Sequence, residues 1–318
     1  MLQSITNYLN SPTVSKLFAH TERTKSFEHF SLGGLFAMKK LMTTVGASAL
    51  LFAACSSADQ DTTEAATETA STETAAADQL CQGFGPQTPR DISSVAGTNS
   101  MAFPMAPAST SLNLCNIHTH TNAEHKGPGF SVFVNDSDYG GYACNMSDSL
   151  TEAELADPYN GDGPYKKVKP GDTIEVHWVH SSCPVQPGEG LGSCLSDGCD
   201  DPLLRVEAQT FLLVNDPNAP SFMDYTYGGD VRDGFHQAKS IPSGTGTPVV
   251  FRGSTTGPSY TEQTCSPLKV TWSVRPQCGK LDINSLHAWA ESGNVFNETK
   301  SHGVRQLVTS PELLSPIQ

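Results

Sequence analysis

Residues 173–179 read Thr-Ile-Glu-Val-His-Trp-Val, and apolar and polar side chains alternate along them with the two-residue period of a strand. Val206–Val214 and Leu268–Val274 alternate in the same way, and Val249–Phe251 and Ser131–Val134 are shorter candidates. One helix is predicted, around Ile283–Glu291, with Asp282 placed to cap its N-terminus. From Leu80 to about Thr309 there is no linker, no repeat and no coiled-coil pattern, and the segments between strands are rich in Gly and Pro. The expected fold is mainly β, with a few short helices. It is a single domain around a large central sheet, mostly antiparallel or mixed, with long loops.

Upstream of Leu80 the chain does not read as folded protein. Residues 38–55, MKKLMTTVGASALLFAAC, place two lysines before an apolar run that ends in small residues and a cysteine. That is the layout of an export signal. The apolar core is short for a membrane span, which needs about 20 residues. Phe52-Ala53-Ala54-Cys55 resembles the lipobox of bacterial lipoproteins, with Phe52 where an aliphatic residue is usual. The resemblance implies a signal peptide over 38–54 and a lipid on Cys55. Residues 1–37 precede a second start at Met38 and are expected to be a mis-assigned extension. The remainder of 55–79 is almost all Ala, Thr, Ser and acids. It has no apolar face to bury and is expected to be a disordered acidic tether. The folded domain is then 80–318, exported and lipid-anchored on the periplasmic or cell-surface side of a bacterial membrane.

The full chain carries a formal charge of −14, and residues 55–318 alone carry 14 basic and 31 acidic residues. Nucleic acid and anionic lipid are poor partners for such a surface, whereas a neutral small molecule is indifferent to it. Eight cysteines follow Cys55, at 81, 115, 144, 183, 194, 199, 265 and 278. An even number in an oxidising compartment allows up to four disulfides, whose connectivity counting does not give.

Histidines concentrate in two clusters. The first is Asn116-Ile-His118-Thr-His120-Thr-Asn-Ala-Glu124-His125, the second Glu175-Val-His177-Trp-Val-His180. On strands, His118 and His120 share a face, as do Glu175 and His177, while His180 points the other way. Three imidazoles from two neighbouring strands leave a fourth tetrahedral position open, as catalytic zinc sites do. Asn116 and Glu175 each lie two residues before a histidine, where they can accept its second N–H and fix its tautomer. Spacing alone does not separate such a centre from a polar core.

In order along the chain, these segments resemble the carbonic anhydrases, most closely the delta class, with an alpha-like zinc site. The resemblance is carried by Cys81-Gln-Gly-Phe-Gly-Pro-Gln-Thr-Pro-Arg-Asp-Ile92, by CNIHTHTNAEHKG at 115–127 and by EVHWVH at 175–180. Phe251-Arg-Gly-Ser-Thr-Thr-Gly-Pro258 resembles the loop over the zinc, and Val270-Thr-Trp272 the strand after it. It implies Zn2+ on His118, His120 and His177. It also implies a buried Glu124 that accepts from a loop threonine, Thr256 or, with a one-residue gap, Thr255. Val179 would line the carbon dioxide pocket, and Cys81 would pair with Cys265. The implied activity is reversible hydration of carbon dioxide to bicarbonate and a proton by zinc-bound hydroxide, a carbonate dehydratase reaction. The loop lacks the leucine and double proline of the alpha pattern, and the three cysteines of 181–200 have no alpha counterpart. No histidine stands where a proton shuttle is expected, and His125 and His236 are candidates by residue type only.

Two enzymatic alternatives use the same residues. In a cupin-type metalloenzyme His118, His120 and Glu124 would ligate iron or manganese, and Lys169–Glu175 would open a strand, but the 251–258 loop would have no role. A copper oxidase fragment would need a Cys-His cluster near the C-terminus, which the sequence lacks. A non-catalytic zinc-binding lipoprotein on an anhydrase-like scaffold is the third alternative. Asn297-Glu-Thr299 matches a glycosylation pattern by chance.

Overall fold

The computed structural model describes residues 79–255, 257 and 259–317. The extension at 1–37, the signal at 38–54, Cys55 with its tether up to residue 78, and Thr256 lie outside the described residues. Among those described, the strands are β1 (Asn113–Thr121), β2 (Val132–Phe133), β3 (Tyr142–Ala143), β4 (Thr173–Ser181), β5 (Leu203–Val214), β6 (Val231–Arg232), β7 (Phe235–His236), β8 (Val249–Arg252), β9 (Lys269–Val274) and β10 (Gly279–Asp282). Two α-helices accompany them, α1 (Glu152–Leu155) and α2 (Ile283–Glu291). None of the described helices is long and apolar enough to cross a membrane.

Six strands form one mixed sheet in the order β1-β4-β5-β9-β8, with β10 paired to β5. The β1–β4, β4–β5 and β8–β9 pairings are antiparallel. β5 is long enough to take β9 in parallel along Leu203–Ala208 and β10 in parallel along Phe211–Val214. Ser131–Val134 contributes only β2, which forms a separate hairpin with β3. α1 was not legible from periodicity. It is a single turn held by a capping box, in which Thr151 accepts from Glu154 N–H and Glu154 accepts from Thr151 N–H.

All nine residues of β4 are buried, because the sheet is covered on both faces. The strand's period of two sorts them. Ile174, Val176 and Trp178 join Leu281, Ile283, Leu286 and Trp289 in a core between the sheet and α2. Val179 faces the other way and packs with Leu204, Val206, Val270 and Trp272. Burying side chains of this size contributes about 1.5–3 kcal/mol each, so this layering holds the sheet's register. Asp282 accepts from Asn284 N–H at 3.2 Å and starts α2 at the residue that the sequence indicated.

The β1–β4 register shifts between Leu114 and Asn116, which leaves Cys115 as a bulge. Beyond it the pairing is regular, with His118 opposite His177 and His120 opposite Glu175. His180 lies on the opposite face, where its Nδ1–H donates to Trp178 O at 3.0 Å. Burial pushes its imidazole down to about 4, so it is a neutral structural histidine near pH 7. Four disulfides take up all eight cysteines after Cys55: Cys81–Cys265, Cys115–Cys194, Cys144–Cys278 and Cys183–Cys199.

Candidate active site

His118, His120 and His177 converge on one point, and their candidate ligand nitrogens all lie within 4.8 Å of one another. Each ring has its other nitrogen committed. His118 Nδ1–H donates to Asn116 Oδ1 at 2.6 Å, His120 Nδ1–H to Gly303 O at 3.0 Å and His177 Nε2–H to Glu175 Oε1 at 3.0 Å. The nitrogens left free are Nε2 of His118, Nε2 of His120 and Nδ1 of His177. Burial, with His177 and His120 alongside, pushes the His118 imidazole well below its usual range. Burial lowers His120 as well, against the opposing pull of Glu124. Both rings are therefore in the neutral form that binds a metal. Three imidazoles with fixed tautomers and one open side fit a zinc ion.

Glu175 is the hub beneath this cluster. It is fully buried, and its Oε2 accepts the backbone N–H groups of Glu124 (2.7 Å) and His125 (3.0 Å). Its Oε1 accepts from His125 Nδ1 at 2.8 Å as well as from His177. Burial alone would raise its pKa, but His125 and His177 outweigh this and hold the carboxyl well below the usual carboxylate range.

Glu124 Oε1 accepts from Arg305 N–H at 3.1 Å, while its Oε2, 3.9 Å from His177 Nε2, is buried with no partner. Thr255 Oγ1 is buried and unpartnered as well, and both residues line the same cavity. The Arg305 guanidinium donates to the carbonyls of Ser254 (2.9 Å), Tyr260 (3.1 Å) and Thr261 (3.0 Å). One residue thus ties the glutamate to the threonine loop.

The cavity has a volume of about 530 Å³. Val179, Leu204, Val206, Val270 and Trp272 make its apolar wall, and Asn297, Glu298, Lys300 and His302 lie on its polar side.

The family model described as delta carbonic anhydrase matches residues 109–285, more than half of the chain. The chain belongs to the delta carbonic anhydrase family. Among solved structures it is similar to an alpha-carbonic anhydrase of Photobacterium profundum, at 14% identity and a TM-score of 0.23, over 70% of this chain and 86% of that one. It is also similar to the alpha-carbonic anhydrase of Thermovibrio ammonificans, solved with the inhibitor sulfanilamide. That match has 15% identity and a TM-score of 0.22, over 69% of this chain and 84% of that one. A search of curated proteins gave no match. Membership in a carbonic anhydrase family sets aside the cupin and copper oxidase readings.

Of the residues singled out in the sequence, the carbonic anhydrase fold brings together Asn116, His118, His120, Glu124, Glu175, His177, Val179 and Thr255. Neither histidine offered there as a proton carrier suits that task. His125 is fully buried between Glu175 and Thr88, and His236 bonds to Tyr227 and is not part of the cavity lining. His302, which the sequence reading passed over, lines the cavity with 43% of its side chain exposed. Its ring centroid is 6.3 Å from that of His118, and its Nε2–H donates to Glu298 Oε2 at 2.9 Å. His302 N–H donates to Thr119 O and its carbonyl accepts from Thr121 N–H, which pins this segment alongside β1. Gly303 and Arg305 were missed too. The one local signal for this segment was an isolated histidine in a sequence with few of them.

Proposed function

We propose that this protein is a zinc-dependent carbonic anhydrase that reversibly hydrates carbon dioxide to bicarbonate and a proton. The observation that carries this reading is the convergence of His118, His120 and His177, each with its second nitrogen engaged. Zinc bound there would supply a water with its pKa lowered from about 15.7 to about 7, an effect for which carbonic anhydrase is itself the reference case.

The chain's own residues do the rest. Asn116, Gly303 O and Glu175 hold the three imidazole protons away from the centre. Glu124 Oε2 would accept a hydrogen bond from the hydroxyl of the loop threonine, with Thr255 the candidate among the described residues. That threonine oxygen is then an acceptor, which favours a nucleophile carrying a proton. The apolar wall receives a gas that offers little to hydrogen-bond. His302 Nδ1 takes the released proton and passes it to buffer, and Glu298 holds the ring in place through Nε2.

Stopped-flow hydration of carbon dioxide by the purified protein tests this reading. Fast turnover that a chelator removes and added zinc restores is the expected result. A protein that holds zinc yet hydrates no faster than buffer would point to the non-catalytic scaffold instead. In the same assay, His302→Ala is expected to lower kcat by about 100-fold or more in dilute buffer, since a positioned proton-transfer group typically contributes about 10²–10⁴-fold. Concentrated imidazole buffer should restore it. An unchanged kcat in dilute buffer would remove His302 from the proton path.

A further inference from the structure

The segment from Cys183 to Cys199 carries three of the chain's cysteines and has no role in the chemistry above. One disulfide, Cys183–Cys199, closes it on itself, and a second, Cys194–Cys115, ties it to the bulge in β1. The bulge takes the Cys115 carbonyl out of the regular ladder, and the loop satisfies it. Gly188 N–H donates to Cys115 O at 3.0 Å and Ser193 Oγ–H at 2.7 Å. One residue further on, Asn116 Nδ2–H donates to Gly188 O at 3.0 Å, while Asn116 Oδ1 accepts from His118 Nδ1–H at 2.6 Å.

A carboxamide can be turned over to exchange its oxygen and nitrogen. A backbone carbonyl accepts and cannot donate. Gly188 O therefore holds the Asn116 nitrogen toward the loop and its oxygen toward His118. That oxygen in turn keeps the proton on His118 Nδ1 and leaves Nε2 free. With the carboxamide turned over, an N–H would face His118 Nδ1, and the favoured tautomer would carry its proton on the nitrogen needed by the metal. The loop also reaches the cavity through Glu189, Gly190 and Leu191. Gly190 adopts φ +65°, a conformation glycine takes without strain, and starts the turn Leu191–Cys194.

We infer that the doubly disulfide-bound loop 183–199 is a positioning element of the metal centre. Through the Asn116 carboxamide it sets the His118 tautomer and so the affinity for zinc. This inference rests on the reading of His118, His120 and His177 as zinc ligands.

The test is the zinc dissociation constant of the full protein, measured by competition with a chromophoric chelator. Cys115→Ser with Cys194→Ser is expected to weaken zinc binding by about 10–100-fold, the usual cost of losing a partner that orients a ligand. In an Asn116→Asp background either carboxylate oxygen accepts from His118, so turning over has no consequence. There the same cysteine substitutions are expected to change zinc affinity by less than about 2-fold, because contacts that act through one group are not additive. A purely structural role would weaken binding in both backgrounds, and that result overturns the inference. An unchanged affinity in the parent background overturns it too. If that cysteine pair is needed for folding, Cys183→Ser with Cys199→Ser opens the loop, keeps its tie to β1 and serves the same comparison. A parent that binds no zinc removes the metal site itself, and that failure is distinct because it precedes any substitution.

Discussion

Alanine at His177 is expected to reduce carbon dioxide hydration to the rate of buffer. In the cluster with His118 and His120, His177 offers the one candidate ligand nitrogen from β4, beside the two candidate ligands from β1. Losing an orienting partner typically costs about 10–100-fold in metal affinity, so loss of a ligand is expected to exceed that range. Two imidazoles would remain, fewer than the three protein ligands usual in catalytic zinc sites. The fold should survive, because Glu175 keeps three of its four donors, namely His125 Nδ1 and two backbone N–H groups. Stopped-flow turnover and bound zinc, measured on the same preparation, check both halves. A folded His177→Ala protein that retains zinc and turnover would move the centre elsewhere.

Alanine at Glu175 is expected to cost stability as well as activity. Its carboxylate is fully buried and accepts from four donors, so its removal leaves two histidine N–H groups and two backbone N–H groups without their partner. Removing one member of a buried, hydrogen-bonded charged group typically costs about 3–5 kcal/mol. Denaturant unfolding of the zinc-free parent and variant reads this directly, apart from any metal contribution. The pH dependence has a definite sign. The Glu175 carboxyl is held well below its ordinary value of 4.5 in the folded protein, so between those two values the unfolded chain binds the extra proton. Its contribution is therefore present above about pH 4.5 and lost as pH falls through the folded-state value. The gap between parent and Glu175→Ala should narrow in that acid range. A stability difference below about 1 kcal/mol at pH 7 would mean that water replaces the carboxylate and that Glu175 is not the hub described.

Much of this was legible along the chain because strand and helix periods are local. Asn116 and His118, or Glu175 and His177, lie two residues apart, and an extended backbone puts such pairs on one face wherever the strand ends up. The same holds for the alternation in β4 and β5 and for Asp282 at the start of α2. The even cysteine count bounded the disulfides for an equally simple chemical reason.

Other features depend on what the rest of the chain brings alongside. The sequence could place His125 near the candidate ligand histidines, but only packing against Glu175, Thr88 and Trp272 sealed it from solvent. Arg305 and His302 lie far along the chain from β1. The segment that carries them is irregular and held by bridges to β1 and Glu124, so no period announced it. The bulge at Cys115, the pairing Cys115–Cys194 and the parallel seats of β9 and β10 on β5 are likewise long-range outcomes. Which side chains share a strand face follows from the order of residues alone, because backbone geometry repeats every two residues. Burial of those side chains, the hold of Gly303 on the His120 ring and the exposure of His302 came from tertiary contacts. Burial and long-range hydrogen bonds belong to surfaces that meet across the chain, and no local period encodes them.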